Sequence, residues 1–146
     1  MTPADPDLVV LAARRWLGTP YHDQASLIGA GCDCLGLARG VWREVVGPEP
    51  FALPPYGRGW GEAGSHELVA DGARTAMIEV DPVALDPGTV LIFRMHHAAI
   101  AKHVGIVSAP ARFIHAYERR GVVEIDLDRP WRRRIAFALL FPATEG

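Results

Sequence analysis

The feature that most constrains the fold is a change of periodicity at Pro87-Gly88. Before it, apolar residues recur at helical spacing. After it, five short β-branched and aromatic runs follow one another with turn residues between them: Thr89 to Arg94, His103 to Ser108, Arg112 to Ala116, Gly121 to Ile125 and Ile135 to Phe141. Helices first and an antiparallel sheet second predict an α+β fold.

In the first half, Asp5 followed by Pro6 predicts a helix start, with an N-cap acceptor and a proline at the first helical position. Val9, Ala12, Ala13, Trp16 and Leu17 carry that helix over residues 6–17, Gly18 ends it, and Pro20 prevents its return. A second helix is predicted from Cys34 through Leu37, Ala38, Val41 and Val45, stopped by Gly47-Pro48. A short helix is expected after Ser65, limited by Gly72. Residues 48–64 are rich in Pro and Gly and read as an ordered surface loop carrying Phe51, Tyr56 and Trp60. Its restricted backbone and flat aromatic faces suit one wall of a substrate groove, so Tyr56 and Trp60 are candidate substrate contacts.

At 146 residues, one domain over 1–146 is expected, burying roughly two thirds of its unfolded surface. The formal charge of -2 lacks the basic excess of a nucleic-acid binder. The first residues show no basic segment leading into a long apolar core, and no apolar run is long enough to cross a bilayer. A chain made in the cytoplasm, without membrane insertion, is the expectation.

Both cysteines lie in "GCDCLGL", separated by one aspartate. A disulfide between Cys32 and Cys34 would close a tiny strained ring. A zinc site with His96-His97 would depart from the wider CxxC pairs of structural zinc, so no metal and no cofactor is expected. Cys34 heads the second predicted helix, where a thiol pKa falls from about 8.5 and the thiolate becomes a nucleophile. Its base would come from His22, His66, His96, His97, His103 or His115. If the strands on either side of Ala109 form a hairpin turning there, His103 and His115 are direct cross-strand neighbours, close enough for one imidazole to orient the other. A slip of one residue would put them on opposite faces.

These residues resemble a known family. "GTPY" at Gly18 to Tyr21, "DCLGL" at Asp33 to Leu37, "LDPGTVLIF" at Leu85 to Phe93, "HVGIV" at His103 to Val107 and "FIHA" at Phe113 to Ala116 are similar, in order and spacing, to the NlpC family of papain-like cell-wall peptidases. The likeness runs from about residue 6 to 141 and is greatest to phage-tail members, including those of gene-transfer-agent particles. It implies a papain-like domain, N-terminal helices packed on an antiparallel sheet, acting as a cysteine peptidase on peptidoglycan stem peptides, commonly at the D-γ-glutamyl-diaminopimelate bond. It implies Cys34 as nucleophile, His103 as general base and then acid, and His115 as the residue that orients His103. Tyr21 and Asp33 fall among the oxyanion or substrate contacts, the Tyr21 hydroxyl sharing the oxyanion with the Cys34 backbone N–H.

The implied setting is a phage-like particle tail acting on the periplasmic wall, with tail or hub proteins as partners and peptidoglycan as substrate. The chain departs from the family pattern at three places: Leu35 where serine is frequent, Thr89 where an acidic residue is frequent, and His22-Asp23-Gln24 where a second glycine motif is usual.

Other readings stay open. Cys34 could be a buried small hydrophobe. The chain could be a tail-hub or assembly component with little activity, or an amidase or acyltransferase on another substrate. Cys32 is expected to be a loop bystander, and Trp16, Trp42 and Phe137 to be core. His96 and His97 are expected in a solvated loop, His22 is open to substrate contact or a surface role, and Arg132 to Arg134 read as a solvated turn.

Overall fold

A computed structural model describes residues 1–50, 68–95 and 101–144. Tyr56, Trp60, His66, His96 and His97 lie outside the described residues.

Helix α1 (Pro6–Arg14) begins where predicted, with the Asp5 carboxylate accepting from the Asp7 N–H at 2.9 Å. It is shorter than the spacing predicts, because residues 15–18 form a turn that closes at Gly18, whose φ of 86 is a left-handed conformation glycine adopts without strain. A two-stranded ribbon of β1 (Ser26–Leu27) and β2 (Gly31–Cys32) follows. Helix α2 (Cys34–Val45) has the predicted bounds.

Helix α3 (Leu68–Ala76) is not limited by Gly72: it continues one turn further, because a glycine inside a helix costs only about 1 kcal/mol and does not break it. There Gly72 lines an apolar cavity of about 110 Å³ between α3 and α2, with Leu35, Ala38 and Trp42 on the facing side. Among the described residues no helix is long and apolar enough to cross a membrane.

The strands are β3 (Ile78–Val80), β4 (Val90–Phe93), β5 (His103–Ala109), β6 (Arg112–Tyr117), β7 (Gly121–Asp126) and β8 (Ile135–Leu140). They form one antiparallel sheet in the order β3-β8-β4-β5-β6-β7. The five predicted strands are all present within a residue or two. The two-residue ribbon, β3 and the short helix α4 (Arg129–Arg132) are not predicted, since none is long enough to show a period.

Alternation along the strands divides the sheet's two faces. Val90, Ile92, Val104, Ile106, Ile114, Ala116 and Leu139 pack against Val9, Ala13 and Trp16 and, from α2, Leu37, Val41 and Trp42. Leu91, Phe93, Val107, Phe113 and Ala138 form a second cluster on the other face, with Leu127 and Trp131. Each valine, leucine, isoleucine or phenylalanine among them, when fully buried, contributes about 1.5–3 kcal/mol. Trp16 and Trp42 are core as expected, and Phe137 packs against the helical cluster half-buried.

Two glycines set how closely the elements approach. A side chain at Gly40 would stand 1.9 Å from the Trp16 ring, so the bare backbone lets α2 lie on α1. A side chain at Gly36 would stand 1.9 Å from the Ala25 carbonyl, which fixes the start of α2 against the preceding loop. The nucleophile candidate is thereby held at one end of the sheet.

Candidate active site

The N-terminus of α2 is built by Asp33. Its Oδ1 accepts from the Gly36 N–H at 2.7 Å and its Oδ2 from the Gln24 N–H at 2.8 Å, with the residue 4% exposed. Where substrate contact was expected of Asp33, both oxygens cap backbone. Cys32 is not a loop bystander either. It is fully buried in β2, joined to the backbone of Pro20 and His22, and burial first, then Asp33 and Cys34, pushes its thiol up to about 12. Its side chain lies in the helical core, because the ribbon folds under the start of α2. Both cysteines are free thiols.

Cys34 is the first residue of α2 and half-buried. Its thiol donates to the Lys102 carbonyl at 3.8 Å, one residue before β5. The backbone N–H groups of Val104, Leu35 and Cys34 favour a thiolate, but burial outweighs them and, with Asp33, pushes the thiol up to about 11. The helix start therefore does not by itself produce the lowered pKa that its position predicts. Tyr21 is half-buried and bridged to Cys32; burial, then the charges of Cys34 and Asp33, holds its phenol well above the usual value.

His103 opens β5 and His115 lies in β6, with His103 Nε2 and His115 Nδ1 2.8 Å apart. They are not direct cross-strand neighbours. The turn is centred on Pro110 and Ala111 (φ 59), Ile106 faces Ile114, and a bulge lies between Val107 and Ala109. Extending that register puts His115 level with Gly105, two residues along the same face from His103. A side chain at Gly105 would meet the Phe113 ring at 2.8 Å, so the bare backbone there lets that ring pack on β5, with its centroid 4.7 Å from that of His115.

His115 is 1% exposed and His103 half-buried. Burial lowers His115 to about 4; burial, then His115, lowers His103 to about 3. Both imidazoles are neutral near pH 7. The Nε2 contact leaves His103 Nδ1 available for a proton, yet among the described residues no hydrogen bond joins Cys34 to His103. The sulfur and the imidazole flank the same backbone from Lys102 to Val104, and proton transfer between them needs the thiol to turn from the Lys102 carbonyl.

One component has no counterpart in the sequence reading. Trp131, the third residue of α4, places its ring 5.1 Å from His115, 5.8 Å from His103 and 5.2 Å from Phe93, roofing the imidazole pair. Asp128 followed by Pro130 was the available signal, a helix cap and early proline of the same kind as Asp5-Pro6. The arginine run is likewise more than a solvated turn: Arg132 donates to the Leu127 carbonyl at 2.9 Å, and the Arg134 guanidinium lies 5.4 Å over the Trp131 ring. His22 is exposed, its Nδ1 3.1 Å from the Asp23 carbonyl oxygen. Among the described residues no three His, Cys, Asp or Glu side chains converge as metal ligands.

No protein-family model and no curated protein matches this sequence. Solved structures do. The NlpC/p60 domain of the peptidoglycan hydrolase SagA aligns over 92% of this chain and 97% of its own length, with TM-score 0.66 and 22% identity. An NlpC/p60 family protein from Bacillus cereus aligns over 93% of this chain and 40% of its own, with TM-score 0.67 and 20% identity. NlpC1 from Trichomonas vaginalis aligns over 96% and 44%, with TM-score 0.64 and 18% identity. The chain thus spans almost all of the first and less than half of the other two. Helices leading a six-stranded antiparallel sheet, with a cysteine at a helix start, define a papain-like α+β domain. Its particular form is the NlpC/p60 fold.

Proposed function

We propose that the protein is an NlpC-family cysteine peptidase that hydrolyses peptidoglycan stem peptides. The observation that carries this reading is the 2.8 Å His103–His115 pair at the start of β5, beside the backbone that receives the Cys34 thiol at the start of α2. The fold shared with a peptidoglycan hydrolase domain supports the substrate class.

In this mechanism the Cys34 thiol turns toward His103, whose neutral Nδ1 takes the proton as sulfur attacks the amide carbonyl. His115, bonded to Nε2, holds the imidazole in place and shares the positive charge. The oxyanion is received by the Cys34 N–H and the Tyr21 hydroxyl, whose raised pKa keeps it a donor. His103 then protonates the leaving amine, an acyl-enzyme forms on sulfur, and water attacks it with His103 again as base. The C–S bond breaks, the carboxylic acid leaves and the proton returns from His103 to the Cys34 sulfur. Because thiol and imidazole are both neutral at rest, proton transfer accompanies attack and no thiolate is stored beforehand.

The bond assigned is D-γ-glutamyl-diaminopimelate, and the setting a phage-like tail or gene-transfer-agent particle that carries the domain to the periplasmic wall. Both rest on the motifs from "GTPY" to "FIHA". Tyr56 and Trp60 are assigned to the groove wall on their sequence alone. Digestion of purified sacculi followed by mass spectrometry of the muropeptides tests the reading. Fragments with a new diaminopimelate amine, absent with Cys34→Ala, are expected; sacculi left intact by a folded protein would overturn it.

A further inference from the structure

The described surface carries a concentration of positive charge next to the imidazole pair. Arg94 follows the last residue of β4, and Arg133 and Arg134 link α4 to β8; together they rim an open concavity of about 640 Å³ floored by Met95, Pro130, Ile135 and Ala136. The Arg94 N–H donates to the Arg134 carbonyl at 2.7 Å, which fixes the two edges of the rim relative to one another. Among the described residues neither Arg133 nor Arg134 is ion-paired with a carboxylate. A chain of net charge -2 does not gather three guanidinium groups by general basicity.

The place of this concavity matters as much as its charge. Phe93, one residue before Arg94, is the register partner of His103 and lies 5.8 Å from its ring. Trp131 packs against both imidazoles and also has the Arg134 guanidinium 5.4 Å over its ring. One residue along a strand is about 3.4 Å, so the rim begins one such step beyond the register partner of His103. Guanidinium groups present paired N–H donors matched to a carboxylate.

We propose that Arg94, Arg133 and Arg134 form a subsite for a free carboxylate on the leaving-amine side of the substrate, the side to which His103 delivers its proton. The subsite rests on the peptidase reading above and specifies its substrate: a stem peptide whose diamino acid keeps its carboxylate as the acid. A carboxamide at that position offers no negative charge to the rim and is discriminated against.

The test uses two synthetic stem peptides identical but for acid or amide at that carboxylate. The wild type is expected to favour the acid in kcat/KM by about tenfold or more, the scale of a hydrogen bond to a charged group. The acid-to-amide ratio falls toward one in Arg133→Gln and in Arg94→Gln with Arg133→Gln, with thermal midpoints showing that both remain folded. Equal rates on acid and amide, or a preference untouched by these substitutions, overturn the subsite. If neither peptide is cleaved, the peptidase reading fails instead, and titrating the same two peptides into Cys34→Ala decides the subsite separately: selective acid binding supports it and equal binding refutes it.

Discussion

His103 and His115 are held 2.8 Å apart, Nε2 to Nδ1, by strands that do not set them opposite one another. The register places His115 level with Gly105, and the planes of the two imidazoles stand at 85°. An edge-on ring is thus aimed at its partner's nitrogen, with the Phe113 ring packed 4.7 Å from that of His115.

The two histidines are expected to fail differently on substitution. His103→Ala removes the proton shuttle and should lower kcat by about 10²–10⁴ on muropeptide. His115→Gln keeps one group able to bond Nε2 and should cost only about 10–100-fold, the usual cost of losing an orienting partner. Rates on a purified muropeptide, with circular dichroism to show folding, check both. A His115→Gln protein as inactive as His103→Ala would remove the orienting role.

Cys34→Ala should abolish hydrolysis while retaining the fold, since the residue is half-buried at a helix start and alanine suits that position. Cys32 behaves otherwise, because it lies wholly inside the helical core. Cys32→Ser should destabilise the protein by about 1–3 kcal/mol through an unmatched buried hydroxyl, whereas Cys32→Ala should cost less and keep Cys34 reactive. Urea unfolding and alkylation of the remaining thiol separate the two effects.

Position 40 offers a test of packing alone. Alanine is the better helix former by about 1 kcal/mol, yet its methyl group would meet the Trp16 ring. Gly40→Ala should therefore destabilise by about 1–3 kcal/mol, as overpacking does. Adding Trp16→Leu should recover part of that loss, read as coupling in a double-mutant cycle.

What could be read in advance follows from the length of each signal. Helix α2 and the five long strands carry several apolar residues at one period, so their bounds were legible to within a few residues. The two-residue ribbon was not, and with it went the burial of Cys32. The same face of β5 and β6 was correctly assigned to His103 and His115, but the register was two residues out, because Ala111 at positive φ and the bulge near Ala109 are set by the turn. Trp131 could not be placed from spacing, since it reaches the imidazoles through a four-residue helix. A cysteine at a helix start was legible as a position but not as an electrostatic environment, which depends on what buries it.

Acid should destabilise the protein through the same imidazoles. Burial lowers His103 to about 3 and His115 to about 4 in the folded state, below the ordinary value near 6.5 that both regain on unfolding. Between those values the unfolded chain binds about two more protons than the folded one, so stability is full above pH ~6.5 and declines as pH falls toward 4. Urea midpoints measured from pH 7.5 to 4.5 should show this decline, and a double variant with Gln at both positions should show a flatter one. Equal slopes would mean that the histidines are charged in the folded protein.

The final expectation separates a neutral resting site from a stored ion pair. With the Cys34 thiol pushed up to about 11 and His103 lowered to about 3, almost all the sulfur is protonated between pH 5 and 9. Alkylation by iodoacetamide, which needs the thiolate, should rise about tenfold per pH unit from 7 to 9 without a plateau, because the thiolate fraction grows tenfold per unit below the pKa. Peptide hydrolysis should be far less steep over that range, since within the substrate complex His103 removes the proton during attack and its neutral form is already fully populated. A fast alkylation plateau below pH 7 would instead show a preformed thiolate-imidazolium pair, with the Cys34 sulfur resting against His103 and not on the Lys102 carbonyl.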